Sequence, residues 1–329
     1  MADSELREEL QEALGADYAI ERELPRGGMS RVFVATERAL QRHVVIKVLS
    51  PELARSLSAE RFKREIAWAA RLQHPLIVPL LSAGVAGTHL YYTMPMVDGE
   101  SLRERMNRER PMPIVDACRI LEDVASALAY AHEEGVVHRD IKPENIMFFH
   151  GRAVVLDFGI GKALIDAATG ETEALRITAA GMSLGTPMYV APEQARADPA
   201  LDHRADLYAL GVVAYEMLTG HPPFTGKSAV AVLDAHAHRA PGPIEARRPD
   251  VPRRLSALVM KCLAKDPSQR PHGGDEIVRA LSPTTSPAGR QASGVGALAA
   301  NLPAWLPWAL AGVSTLVAIA LAILYARAR

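Results

Sequence analysis

The chain has 329 residues, enough for one large or two ordinary domains with a sizeable buried core. Its 37 lysine and arginine residues balance its 38 aspartate and glutamate residues, which argues against bulk attraction to nucleic acid. The two cysteines, Cys118 and Cys262, lie far apart in apolar, helix-like contexts, a pattern typical of buried free thiols and unsuited to a metal site.

The chain opens with a predicted helix and two strands. Residues 1–17 are acidic at the start, so we expect no secretory signal there, and they carry apolar residues at helical spacing up to Gly15. Residues 18–24 alternate like a strand, and a second strand follows a glycine turn and runs to Ala35. A glycine turn lets backbone N–H groups approach a phosphate, although Gly27-Gly28 alone more often marks a hairpin.

A third strand, residues 44–49, is a continuous apolar run that holds one lysine, Lys47. A buried strand tolerates a lysine only where its ammonium group meets anions. A helix running to about Gln73 carries Glu65, which is either the partner of Lys47 or a surface carboxylate. Residues 90–94 predict a further strand, which residues 95–99 break.

The candidate catalytic and metal-binding residues come after a predicted helical stretch, residues 101–134. Two apolar, strand-like runs, at 136–137 and up to Leu156, deliver Asp140 and Asp157 to loops, with Asn145 between them. Such a set suits phosphoryl transfer, with one carboxylate to orient a hydroxyl and a carboxylate and an amide oxygen to hold Mg²⁺. The alternative is that both aspartates cap turns around a core histidine.

About thirty residues with little periodicity then separate Asp157 from Glu193, and a loop of that length is usually functional or mobile. Residues 206–220 predict a strongly apolar helix that ends at a glycine, and residues 274 to 281 predict the last helix of the domain.

The ordered motifs resemble protein kinases, in particular bacterial eukaryotic-like Ser/Thr kinases. They are V-V-H-R-D-I-K-P-E-N at 136–145, L-D-F-G at 156–159, G-T-P-M-Y-V-A-P-E at 185–193 and K-D-P-S-Q-R-P at 265–271. The resemblance covers residues 18–281 and implies an α+β, two-lobed fold, with a small antiparallel β lobe at 18–94, a hinge at 95–99 and a mostly helical lobe at 100–281.

The resemblance also implies roles for single residues. Asp140 would accept the substrate hydroxyl proton, Lys142 would steady the γ-phosphoryl charge, and Lys47 paired with Glu65 would fix the phosphates. The implied metal ligands for Mg²⁺, with Mn²⁺ as a further option, are Asn145 and Asp157. The implied contacts to ATP, including hinge backbone groups, are Leu24, Arg26, Gly27, Gly28, Met29, Ser30, Val32, Val45, Lys47, Met94, Pro95 and Val97.

Regulatory and structural residues follow from the same resemblance. Arg139 could pair with a phosphate on the activation segment, and Thr178 is the favoured phospho-acceptor, with Thr186 in the closing motif. The residues with implied structural roles are His138, Phe158, Glu193, Asp206 and Arg270; Asp206 would bond the catalytic-loop backbone and Arg270 would pair with Glu193.

The chain departs from the family pattern in the glycine-rich loop, where Pro25 and Ser30 replace the first and third glycines. Pro25 fixes φ and lacks an N–H, so the loop entry should be stiffer. This departure supports an alternative, a membrane-tethered pseudokinase scaffold with weakened nucleotide binding. A small-molecule phosphotransferase is a further alternative, and the peptide-positioning segment up to Glu193 argues against it.

The C-terminal part differs from the rest of the chain. Residues 282–303 resemble a flexible linker, and the almost wholly apolar residues 304–326 would form a helix of roughly 34 Å, long enough to cross a bilayer core. A buried core helix or a peripheral insertion is the alternative. We therefore expect a single-pass inner-membrane protein with a cytoplasmic kinase domain, protein substrates bearing Ser/Thr, and a possible homodimer for trans-autophosphorylation.

Overall fold

The computed structural model describes residues 2–24, 30–50, 54, 59–158, 187–196 and 198–282, without the side chains of residues 2–4, 59, 61 and 65. The chain divides into two units, Met1–Ser282 and Pro283–Arg329, and every described residue belongs to the first. Residues 283–303 of the predicted linker and the apolar segment at 304–326 lie outside the described residues. Within the described part of the chain, no helix is both long enough and apolar enough to span a membrane.

The described residues form a small, mainly β lobe followed by a mostly helical lobe, as the sequence predicted. The small lobe contains α1 (Ala2–Leu14), β1 (Tyr18–Leu24), β2 (Ser30–Glu37), β3 (Arg42–Leu49), α2 (Ala59–Ala69), β4 (Ser82–Ala86) and β5 (His89–Pro95). The large lobe contains α3 (Leu102–Arg108), α4 (Ile114–Glu133), β6 (Ile146–Phe149), β7 (Arg152–Val155), α5 (Pro192–Ala195), α6 (Arg204–Thr219), α7 (Ala229–His238), α8 (Arg253–Cys262) and α9 (Gly274–Leu281).

The small-lobe sheet is antiparallel, with the strand order β1-β2-β3-β5-β4. Because successive side chains of a strand point to opposite faces, each face of the sheet builds its own core. On one face, Val44, Ile46 and Val48 of β3 join the buried side chains of α1. On the other face, Leu49 joins buried residues of α2 and β5, and this face also carries Lys47.

The large lobe is built around α6. Residues 205–218 of this helix are all buried, and Gly220 ends the helix in a left-handed conformation with φ of 77°. Helices α4 and α8 pack against α6, and α9 packs against α4. The observed α6 and α9 agree with the helices that the sequence predicted at 206–220 and 274–281.

Three local predictions were incomplete or wrong. The sequence predicted no strand at β4 or β6, which are only five and four residues long, whereas β7 corresponds to the predicted apolar run that ends at Leu156. The helix predicted to reach Gln73 ends at Ala69, because the N–H groups of Arg71 and Leu72 bond three residues back and tighten the last turn. The run at 136–137 is not a strand, since the N–H of Val136 returns to the carbonyl of Ala131 at the end of α4.

Candidate active site

The loop that carries Asp140 is anchored by a buried carboxylate on the first turn of α6. Asp206 accepts the backbone N–H groups of His138 and Arg139, both at 2.7 Å, and the Nε2–H of His132 at 2.8 Å. Burial acts to raise the pKa of Asp206, but the hydrogen bonds that it accepts from the His132 side chain and the His138 backbone act in the opposite direction, and the pKa lies below its ordinary value. The carboxylate is therefore ionised and fixes the loop backbone.

His138 ties the same loop to the strand that leads to Asp157. Its ring is fully buried, donates from Nε2 to the carbonyl of Leu156 at 2.8 Å and accepts the N–H of Asp140 at Nδ1 at 3.2 Å. Burial lowers the pKa of His138, which agrees with a neutral imidazole in this tautomer. The ring of Phe158 packs edge-on against it, with centroids 4.8 Å apart.

Three side chains that the sequence predicted for catalysis or metal binding lie close together within the loop. Lys142 Nζ donates to Asp140 Oδ2 at 2.7 Å, and Asn145 Nδ2 donates to the Asp140 carbonyl at 2.8 Å and to its Oδ2 at 3.0 Å. The side chains of Asp140 and Lys142 are about one-third exposed, so a substrate hydroxyl can reach them. The arrangement offers a carboxylate and an ammonium group side by side at the lobe surface.

The second carboxylate lies against this loop. The N–H of Leu156 donates to the carbonyl of Asn145 at 2.9 Å, which brings Asp157 beside the first group. Asp157 has φ of 58°, a left-handed conformation that is uncommon for a residue other than glycine. Lys47 Nζ donates to Asp157 Oδ2 at 2.9 Å, so the small-lobe lysine predicted to meet anions meets this carboxylate.

The chemistry of these donors fits Mg²⁺, an implied cofactor. Mg²⁺ prefers oxygen ligands and takes few of them from the protein, keeping waters and substrate phosphates for the rest. Asp157 offers a carboxylate, and Asn145 commits its amide nitrogen to Asp140, which leaves its carbonyl oxygen as the donor suited to a cation. Among the described residues no group of three or more His, Cys, Asp or Glu side chains could hold a metal ion.

The small-lobe residues implied to contact nucleotide lie at the ends and on the faces of the central strands. Val32 is paired with Lys47 and with Leu24, and Val45 is paired with Met94. Ser30 begins β2, Pro95 ends β5, and Val97 is partly buried against the large-lobe core. The remaining implied contacts lie outside the described residues: Arg26, Gly27, Gly28 and Met29.

Other predicted residues divide into those that the structure describes and those that it does not. Glu65 lies in α2, but its side chain is not among those described, so its pairing with Lys47 stays a prediction. Thr178 and Thr186 lie outside the described residues. Arg270 donates to both oxygens of Glu193, at 2.6 and 2.7 Å, so the predicted pairing is present and both side chains are buried.

Two residues that contact this site, Tyr92 and Arg103, were not predicted from the sequence. Tyr92 of β5 donates its hydroxyl to Asp157 Oδ1 at 3.1 Å. Arg103 of α3 donates to Glu144 at 2.8 Å, to Glu216 at 2.9 Å and to the hydroxyl of Tyr189. Tyr92 lies directly opposite Lys47 in the strand register, so pairing the two predicted strands would have located it, whereas no local signal points to Arg103.

Comparisons with known proteins agree with this geometry. A family model described as "Protein kinase domain" matches residues 18–280. Serine/threonine-protein kinase PknB of Mycobacterium tuberculosis is 43% identical over 250 residues, which are 74% of this chain and 39% of PknB. Serine/threonine-protein kinase pkn3 of Myxococcus xanthus is 41% identical over 263 residues, which are 77% of this chain and 47% of pkn3. The chain thus spans less than half the length of these relatives.

A solved structure is similar at the level of the fold. The crystal structure of Rad53 1-466 in complex with AMP-PNP superposes with a TM-score of 0.66 at 23% sequence identity, covering 82% of this chain and 65% of that chain. At this identity the likeness concerns the fold alone, and it agrees with the two lobes described above.

Proposed function

The chain belongs to the protein kinase family, with serine/threonine kinases among its relatives. From this membership we propose that it transfers the γ-phosphoryl group of Mg-ATP to serine and threonine hydroxyls of proteins. The observation that carries the proposal is the convergence of Asp140, Lys142, Asn145 and Asp157, with Lys47 reaching Asp157 from the small lobe. Phosphoryl transfer needs this kind of arrangement, because its loose transition state gains mainly from positioning and charge neutralisation.

Each side chain takes one role in this proposal. Asp140 orients the attacking hydroxyl and accepts its proton late in the transfer, while Lys142, at 2.7 Å from that carboxylate, neutralises charge on the transferred group. Asn145 and Asp157 would hold Mg²⁺, which would neutralise charge on the phosphates. Lys47, paired with Glu65, fixes the phosphates from the small lobe.

Binding of ATP between the lobes is the second part of the proposal. We assign the base to the hinge, with backbone groups of Pro95 and Val97 as its partners and Met94 behind it. The phosphates would lie under the loop that carries Gly27 and Gly28. The support is the register of β3 with β5, which sets Val45 opposite Met94 and Val44 opposite Pro95, so that the lysine strand and the hinge strand run side by side.

We further propose autophosphorylation on the activation segment, with Thr178 as the acceptor and Arg139 as the partner of the phosphate. A possible homodimer would serve the reaction in trans. We also retain the proposal that residues 304–326 anchor the protein in the inner membrane through the linker at 282–303, with the kinase domain in the cytoplasm and a role in bacterial signalling. These parts rest on the sequence and the resemblance.

The test is phosphate transfer by the purified full-length chain. With γ-labelled ATP, Mg²⁺ and a generic basic protein, we expect label on serine and threonine. Asp140→Asn should reduce the rate about 100-fold or more, because a positioned general base typically contributes 10²–10⁴-fold.

Three results would overturn the proposal. Nucleotide binding with no transfer by either form would indicate the pseudokinase scaffold. Transfer to a free metabolite in preference to protein would indicate the small-molecule phosphotransferase. A rate unchanged by Asp140→Asn would remove Asp140 from the mechanism.

A further inference from the structure

Both oxygens of the Asp157 carboxylate are bonded to side chains of the small lobe. Lys47 Nζ donates to Oδ2 at 2.9 Å, and the hydroxyl of Tyr92 donates to Oδ1 at 3.1 Å. The lysine was expected to contact anionic groups, but the sequence assigned no role to the tyrosine. A neutral O–H donor on a carboxylate fixes its orientation without neutralising its charge, and this is what a metal ligand needs.

The strand register explains why the two donors act together. Lys47 on β3 lies directly opposite Tyr92 on β5, and directly opposed residues of an antiparallel pair share a face of the sheet. The ammonium group of Lys47 also lies 5.7 Å from the centre of the Tyr92 ring, within the range of a cation–π contact. Tyr92 therefore contacts both members of the Lys47–Asp157 pair.

Tyr92 is well suited to hold another side chain in place. Its accessible surface is 0%, and it packs among the buried residues between β5 and α2. Close packing confines its ring to one position, so the hydroxyl is held where it meets Asp157. Because the Tyr92 side chain is fully buried, it cannot contact a nucleotide in an open cleft. An effect of replacing Tyr92 is therefore distinct from the loss of a direct contact with the nucleotide.

Asp157 needs such support because of its backbone. A left-handed conformation, here with φ of 58°, is less favourable for Asp than for Gly, although Asp adopts it more readily than most residues, and contacts with its surroundings help to hold it. The backbone beside it is held by the bond between Leu156 and Asn145, and Phe158 is held by its ring contact with His138. These contacts fix the chain on both sides of Asp157, whereas Lys47 and Tyr92 fix its carboxylate.

We propose that Tyr92 is a positioning residue for the metal ligand Asp157, orienting its carboxylate for the divalent cation that accompanies the nucleotide. This inference rests on the proposed function, because it presumes that Asp157 binds a cation. A hydrogen bond to a charged acceptor changes an equilibrium constant by about tenfold or somewhat more. Since Lys47 remains in place when the hydroxyl is removed, the expected effect is about tenfold.

The test is the Mg²⁺ dependence of nucleotide binding by the full-length chain carrying Tyr92→Phe. This change removes only the hydroxyl and keeps the ring and its contact with Lys47. Binding of a fluorescent ATP analogue is titrated with Mg²⁺ and also measured in excess EDTA. We expect the variant to need about tenfold more Mg²⁺ for half-maximal binding, with unchanged affinity in EDTA. An unchanged Mg²⁺ midpoint, or an equal loss of affinity in EDTA, would overturn the proposal.

Tyr91→Phe is the matched control. Tyr91 is the preceding residue of β5, and its side chain packs with the core on the opposite face of the sheet, so its hydroxyl should not affect the Mg²⁺ midpoint. A shift as large as that of Tyr92→Phe would show a general effect of removing a hydroxyl from β5 and would refute the specific role. Thermal unfolding of both variants, in the absence of ligand, identifies the temperature range in which the comparison is made.

The result for the unmodified chain separates the two proposals. If its nucleotide binding depends on Mg²⁺ and the Tyr92→Phe midpoint is the same, only the role of Tyr92 fails. If nucleotide binding by the unmodified chain does not depend on Mg²⁺ and no phosphate is transferred, the proposed function fails and the role of Tyr92 fails with it.

Discussion

Glu193 and Arg270 form a buried pair in the large lobe, and removing either member alone should destabilise the lobe strongly. The Arg270 side chain is fully buried and that of Glu193 is 5% exposed. The guanidinium group uses every N–H that it has. Two of these bond Glu193, and the others bond the backbone carbonyls of Ala264, Arg204 and Lys265 at 2.9, 2.9 and 3.3 Å.

The magnitude follows from what a single substitution leaves behind. Arg270→Met leaves the Glu193 carboxylate buried without its partner, which typically costs about 3–5 kcal/mol of unfolding free energy. Replacing both residues with Met removes both charges, and apolar replacements of buried ion pairs are often neutral. We therefore expect each single variant to lose about 4 kcal/mol and the double variant to lose much less than the sum, a coupling of about 3 kcal/mol or more.

Urea unfolding followed by circular dichroism measures the unfolding free energies of the unmodified chain, the two single variants and the double variant, with thermal unfolding as a second readout. For a domain of this size, a loss of 4 kcal/mol corresponds to a fall in Tm of about 10 °C. The exposed pair between Lys261 and Glu276, at 2.5 Å, is the matched control, and Lys261→Met should cost less than about 1 kcal/mol. Additive single-variant effects would refute the reasoning, because they would show that the two buried charges do not depend on each other.

Two further predictions concern the loop anchor and a helix contact. The pKa of Asp206 is held below its ordinary value of 3.8, so its contribution to stability is present above that pH and is lost as the pH falls below it. Asp206→Asn should therefore weaken the fall in unfolding free energy between pH 6 and pH 3, measured by urea unfolding. An unchanged fall would contradict this. A Cβ at Gly274 would lie 2.1 Å from the carbonyl oxygen of Ala125, so Gly274→Ala should lower the unfolding free energy by about 1–3 kcal/mol. A Cβ at Gly273 would meet nothing within 4 Å, so Gly273→Ala, as the control, should have little effect.

The parts of the fold with clear periodicity were predictable from the sequence. The helix α9 spans the predicted residues 274–281, and α6 ends at the predicted glycine, Gly220. Strand β3 was recognised from its continuous apolar run. The strands that were missed, β4 and β6, are too short to establish an alternation of their own, so they become visible only through the strands that pair with them.

The candidate site was predictable as a set of residues, but not as a set of contacts. The spacing of Asp140 and Asn145, five residues apart, indicated that both belong to one loop, and the structure brings them within hydrogen-bond distance. The contact between Tyr92 and Asp157 joins residues 65 positions apart. A tyrosine in an apolar strand has the pattern of a core residue, so only the register with β3 distinguishes it.

The backbone of the site shows why such distant contacts decide its geometry. Arg139, which precedes Asp140, and the proposed metal ligand Asp157 both have left-handed backbone conformations, with φ of 64° and 58°. Neither is glycine, so each conformation requires support from elsewhere. Arg139 is supported through Asp206, which accepts its N–H, and through Gln194, which donates to its carbonyl at 3.0 Å. Because Gln194 lies in α5, directly after the motif at 185–193, the conformation of the loop beside Asp140 depends on α5 being in place.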